Sequence, residues 1–96
     1  MDPLIENFQD LSSILDTEGR LTLWPNSRKR FIQRRCLEYL IQFFIPSQVY
    51  SEKEVNNLLQ QHHTFQDWAL LRRELIDSQL LNRTRDGRKY WRILGS

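Results

Sequence analysis

Leu4, Ile5, Phe8, Leu11, Ile14 and Leu15 recur at three- and four-residue spacing, the period of an amphipathic helix. Asp2-Pro3 in front of them supplies an N-cap followed by a proline in the first turn. Asp16 to Arg20 then has turn composition around Gly19, and Leu21-Thr22-Leu23-Trp24 alternates briefly before Pro25, which predicts a short strand. From Asn26 or Ser27, either of which can cap a helix, the stripe Ile32, Cys36, Tyr39, Leu40 and Phe43 is widened by Leu37, Ile41 and Phe44. A long helix is therefore expected to run to about Phe44, ended by Pro46, with Gln48-Val49-Tyr50 as an extended link.

Ser51-Glu52-Lys53-Glu54 has the S-x-x-E form of a capping box, followed by Val55, Leu58 and Leu59 on one helical face. After His62-His63-Thr64 a further helix is expected from Gln66 to Ser78, with Trp68, Leu71, Leu75 and Ile76 inward and Leu70, Arg73 and Asp77 outward. Leu80 to Leu94 reads as a hairpin closed by Asp86-Gly87 as a two-residue type I′ loop. Arg85 would then face Arg88, Arg83 would face Tyr90, and Leu81 would face Arg92. Strand alternation puts Arg83, Arg85, Arg88, Tyr90 and Arg92 on a solvent face, leaving Leu80, Asn82, Thr84, Lys89, Trp91 and Ile93 to cover the core. In this reading Trp91 anchors the hairpin.

Helix, strand, three helix-rich segments and a hairpin define an α+β fold in the order of a winged helix-turn-helix: three core helices and a small β-sheet whose C-terminal hairpin is the wing. An N-terminal amphipathic helix precedes it, so residues 1–20 form a leader and residues 21–96 the winged-helix domain. A chain of 96 residues supports one modest core, burying roughly 60–70% of the surface exposed when unfolded. One cysteine cannot form an intramolecular disulfide, no secretory leader is recognisable, and no apolar run approaches membrane-spanning length, so a cytoplasmic protein away from membranes is expected.

Charge adds an asymmetry to this picture. Residues 1–26 carry five acids and one base, net −4, whereas residues 27–96 carry thirteen bases and seven acids, net +6. Arg85 opposite Arg88 would be a local cost without a folding benefit, and an anionic partner would explain it; a charged hairpin that resists edge-to-edge pairing is the plainer alternative. Arg28, Lys29 and Arg30 occupy the first turn of the long helix, where its dipole disfavours cations, while Arg34 and Arg35 can pair with Glu38. In a helix-turn-helix the segment from Gln66 would enter the major groove, making Gln66, Asp67, Leu70 and Arg73 candidate readers, although Arg73 can instead pair with Asp77.

No catalytic or metal constellation stands out. His62 and His63 are adjacent and point to different sides, Cys36 belongs to a core stripe, and glycine-rich phosphate loops and nucleophile elbows are missing. Neither an enzyme nor a cofactor is expected.

Tyr50-Ser51-Glu52-Lys53-Glu54-Val55-Asn56, then Leu71-Arg72-Arg73-Glu74-Leu75-Ile76-Asp77, Leu80-Leu81 with Arg83, and Asp86-Gly87 with Tyr90-Trp91-Arg92 form an ordered motif series. Together with Leu23-Trp24-Pro25 and Arg28-Lys29-Arg30, the series resembles a bacterial domain family of unassigned function. The resemblance covers about residues 21–93 and leaves the leader outside. It implies a winged-helix fold, occurring alone or behind a regulator-type DNA-binding domain, and an association with transcription.

The leading expectation is a non-enzymatic module that binds double-stranded DNA and regulates transcription. Its candidate contacts are Arg28, Lys29, Arg30, Gln66, Arg73, Arg83, Arg85, Arg88, Tyr90 and Arg92. The alternative is an adaptor that regulates transcription by docking on another protein, with RNA binding a third class. The leader can fold back on its own domain or pair with a second chain; a homodimer through residues 4–15 is expected, because a lone domain with so neutral a recognition helix would bind DNA weakly.

Overall fold

Ser51 and Glu54 close the expected capping box. The Ser51 hydroxyl accepts from the Glu54 amide at 3.1 Å and the Glu54 carboxylate accepts from the Ser51 amide at 2.8 Å, fixing the start of a helix at Glu52. The computed structural model describes residues 3–94, and around this helix it has the element order α1 (Pro3–Asn7), a 3₁₀ segment (Gln9–Ile14), α2 (Arg30–Ile41), β1 (Val49–Tyr50), α3 (Glu52–Gln61), α4 (Trp68–Asp77), β2 (Leu81–Arg83) and β3 (Tyr90–Arg92). The expected Asp2 cap lies outside the described residues. The molecule is a small α+β domain whose antiparallel sheet has the order β1-β3-β2.

The leader is a broken helix. Phe8 leaves helical geometry (φ −122°, ψ 32°), so α1 gives way to the 3₁₀ segment and the chain turns over the domain. Phe8 and Leu11 are buried in the chain's own core, and Phe8 meets Tyr39 edge-on at 5.3 Å. Arg35 ties this segment to α2: it donates to Asp10 at 2.8 and 3.0 Å and to the Asn7 carbonyl at 2.9 Å, and its guanidinium lies 4.5 Å from the Phe8 ring centre. Phe8 and Leu11, two of the apolar residues on the face expected to meet a second chain, are thus enclosed within this one, in the manner of the fold-back alternative.

Two expected elements move. Leu21–Trp24 is no strand: Leu21 makes single bridges to Leu15 and to His63, while Val49–Tyr50, expected as a link, is the third strand of the sheet. Tyr50 sits opposite Tyr90, which gives this short segment its pairing partner. α2 starts at Arg30 rather than at Asn26 or Ser27, because the Asn26 side chain accepts from the Arg28 amide and its carbonyl from the Lys29 amide, closing a turn ahead of the helix. At the other end α2 stops at Ile41, short of the expected Phe44, and bonds from Gln42, Phe43 and Phe44 to carbonyls three residues back tighten the chain into the turn that follows.

The core is formed where α2, α3, α4 and the sheet meet, with Cys36, Leu40, Val55, Leu59, Leu71, Leu75 and Leu81 fully enclosed. Burial pushes the Cys36 thiol up to about 12, so this sulfur behaves as a small hydrophobe. Tyr39 reaches across to donate to the Gly19 carbonyl at 2.6 Å, and a side chain at Gly19 would press on that hydroxyl.

The hairpin keeps the expected register, with Leu81 opposite Arg92, Asn82 opposite Trp91 and Arg83 opposite Tyr90, but its faces are exchanged. Leu81 and Tyr90 are buried together with Tyr50, whereas Asn82, Val49 and the half-buried Trp91 form the outer face. Tyr90, not Trp91, anchors the hairpin. The loop is also different. Asp86 lacks the positive φ that a type I′ turn demands, the turn bond runs from the Gly87 amide to the Thr84 carbonyl, and only Gly87 is left-handed (φ +70°). The Thr84 hydroxyl and the Arg88 amide both bond the Asp86 carboxylate, holding its pKa below the ordinary value and stabilising a four-residue tip, Arg85–Arg88. Arg85 and Arg88 are consequently loop residues rather than a cross-strand pair.

Candidate nucleic-acid interface

α4 is held in place from both ends. The Asp67 side chain accepts from the Leu70 amide as its N-cap, and buried His63 receives the Asp67 amide on Nε2 at 2.9 Å. Since Nε2 accepts, Nδ1 carries the proton and donates to the Leu59 carbonyl at 2.6 Å. One ring therefore joins the end of α3 to the start of α4. At the far end Arg34 donates to the Ser78 carbonyl at 2.9 Å while pairing with Glu38, which also pairs with Arg35, both as anticipated.

With its Leu71 and Leu75 face buried, α4 presents Ala69, Arg73, Ile76 and Asp77 to a shallow groove that the hairpin walls on its other side with Arg83 and Tyr90. A network of four side chains runs along it. Tyr90 donates its hydroxyl to Glu52 at 3.1 Å, Glu52 lies 3.7 Å from Arg72, and Arg72 donates to the Asn56 side chain. Burial first, and the Glu52 hydrogen bond second, raise the Tyr90 pKa, keeping it a neutral donor. The network links hairpin, α3 and α4, so it sets the angle at which the hairpin stands to α4.

Of the expected site residues, the structure gathers Arg73, Arg83 and Tyr90 in this groove and puts Arg85 and Arg88 at the exposed tip beyond it. Arg73 makes no ion pair with Asp77 among the described residues, and Arg83 is free of acidic partners as well. Arg88 touches Asp86 only at 3.8 Å while remaining 85% exposed, too loose to be committed. The other candidates lie elsewhere. Gln66 precedes α4 in a left-handed conformation (φ 54°) beside Arg20 and Trp68. Arg28 and Lys29 belong to the turn before α2 and Arg30 opens that helix. Arg92 turns back to donate to the Phe44 carbonyl at 3.2 Å, and Tyr90 is buried rather than on a solvent face.

Sequence reasoning missed Arg72, Glu52 and Asn56 as a unit and placed Lys89 inward, although it is exposed beside the tip. Arg72 lies sixteen positions after Asn56 and carries no local signal of the pairing, since the three residues meet only through packing of α3 on α4. Among the described residues no cluster of His, Cys, Asp and Glu could hold a metal ion, and no helix is long and apolar enough to cross a membrane.

No curated protein and no solved structure matches the chain. A family match spans residues 20–92, from the bridge around Leu21 through α4 and the whole hairpin, and it omits the leader strapped on by Arg35. The chain belongs to the family described as an uncharacterized protein conserved in bacteria (DUF2087).

Proposed function

We propose that this domain is a winged helix-turn-helix module that binds double-stranded DNA and regulates transcription, with α4 as the helix entering the major groove and the β2–β3 hairpin as the wing. The element order supports the fold: helix, strand, helix, helix and hairpin, with β3 between β1 and β2. One observation carries the function. Arg73 of α4 and Arg83, Arg85 and Lys89 of the hairpin, which lie on one side of the domain, make no ion pairs among the described residues, as is also true of Arg28, Lys29 and Arg30 before and at the start of α2, whereas Arg20, Arg34, Arg35 and, within α4 itself, Arg72 are bound to acids.

Arg73 and Ala69 face outward from α4 and are the base-edge candidates; Arg83, Arg85, Arg88 and Lys89 supply phosphate contacts. Glu52 and Asp77 offset part of the groove's charge, so affinity is expected to come chiefly from the backbone and to depend steeply on salt. Fluorescence anisotropy against a random duplex over a salt series tests this. The expected result is binding whose logarithmic salt slope falls by about 2 in Arg85→Ala/Arg88→Ala, roughly one counterion per phosphate contact removed. A folded protein that binds no duplex at low salt overturns the DNA function and leaves the protein-docking adaptor.

A further inference from the structure

Arg28, Lys29 and Arg30 have no ion-pair partner among the described residues, and the α4–hairpin groove does not include them. Lys29 and Arg30 border two adjoining features, and Arg28 directly precedes them in the chain. A cleft of about 530 Å³ lies between the end of the leader and the start of α2, lined by Ile14, Leu23, Trp24 and Ile32 with Lys29, and with Asp10, whose charge Arg35 neutralises. Arg30 lines an adjoining hollow that shares Trp24, Pro25 and Asn26 with the cleft and also holds Glu74, with which Arg30 makes no ion pair among the described residues. Leu23 is 46% exposed and Phe31, next to Arg30, is 74% exposed. Leu23, left open on the apolar lining that it forms with Ile14, Trp24 and Ile32 beside unpaired Lys29, gives this cleft the character of an interaction surface.

We propose that this cleft docks an acidic amphipathic helix of a partner protein, its apolar residues covering Leu23, Trp24 and Ile32 and its carboxylates meeting Arg28, Lys29 and Arg30. Charge complementarity selects the occupant. The chain's own leader uses the same chemistry next door: Phe8 and Leu11 enter the core while Asp10 binds Arg35. A DNA backbone would engage the three cations but offers nothing to cover the apolar side chains. The proposal is independent of duplex binding by α4 and the hairpin.

The test uses the full chain and two labelled synthetic peptides, one carrying Leu and Trp at i, i+3, i+4 and i+7 with Asp and Glu elsewhere, the other with Lys and Arg replacing the acids. Anisotropy should show saturable binding of the acidic peptide and none of the basic one. Arg28→Glu/Lys29→Glu/Arg30→Glu, and separately Leu23→Ser, should each weaken it by about tenfold or more, with circular dichroism unchanged because the altered side chains are exposed. Failure of the acidic peptide to bind, or equal binding by the variants, overturns the proposal. So does a charge-reversed variant that keeps peptide binding but loses duplex binding, which would assign the three cations to DNA phosphates.

Discussion

His63 shows how one side chain can be structural where the local sequence offered a choice. Both ring nitrogens are occupied, one by the Leu59 carbonyl and the other by the Asp67 amide, in a site that is only 4% exposed. Replacing it with alanine strands two backbone groups as well as opening a void, so His63→Ala should cost about 1–3 kcal/mol per group left unpaired, read from the urea midpoint. Its neighbour His62 instead stacks on Phe43 at 3.7 Å between centroids. The adjacent pair pointed to different sides, as their spacing required, but nothing local said which of them would be buried. Asp10 is a second residue with a defined signature. Its hydrogen bonds from Arg35 hold its pKa below the ordinary 3.8. Between the folded and unfolded values the unfolded chain binds more protons, so stability rises with pH there: the contribution is complete above 3.8 and is lost as pH falls through the folded value. The stability difference between wild type and Asp10→Asn should therefore shrink as pH drops below 3.8; a difference independent of pH would contradict this role.

At the scale of elements, what was legible followed from rules that act within a few residues. The α3 capping box was readable because both of its partners lie within four positions. Ser51→Ala should cost about 1 kcal/mol of stability in thermal or urea unfolding, with α3 the first helix to gain amide exchange. The hairpin register was equally legible, since alternation and the Asp86-Gly87 signal fix pairing. Its orientation was not, because alternation defines two faces without naming the inner one. Tyr50 decides this: by pairing β1 with β3 it places one tyrosine against the other on the buried side, and Tyr90 then finds Glu52 for its hydroxyl. A reading that put Trp91 inside with Leu80 and Ile93 by alternation had no way to register a two-residue strand contributed by Val49 and Tyr50. The broken leader has a similar cause: its apolar stripe was visible, but the bend at Phe8 follows from packing against Tyr39 and Arg35.

Across the whole molecule, the two-part charge distribution resolves into three regions. Asp10 of the leader is engaged with Arg35, and Asp16 and Glu18 of the following turn with Arg20; one cation triplet stands at the start of α2, and another basic set belongs to α4 and the hairpin. Of the ten expected contact residues, Arg73, Arg83 and Arg85 are brought to one side without ion pairs among the described residues, together with Arg88, which only loosely meets Asp86, and it is this grouping, rather than net charge, that supports the proposed DNA-binding function. The most direct measurement is amide NMR mapping of the full chain as a short random duplex is added. Shifts confined to Ala69–Asp77 and to Arg83–Lys89, weakening with added salt, are the predicted result. A duplex that leaves those amides unmoved, or shifts only those of Arg28–Ile32, would contradict it.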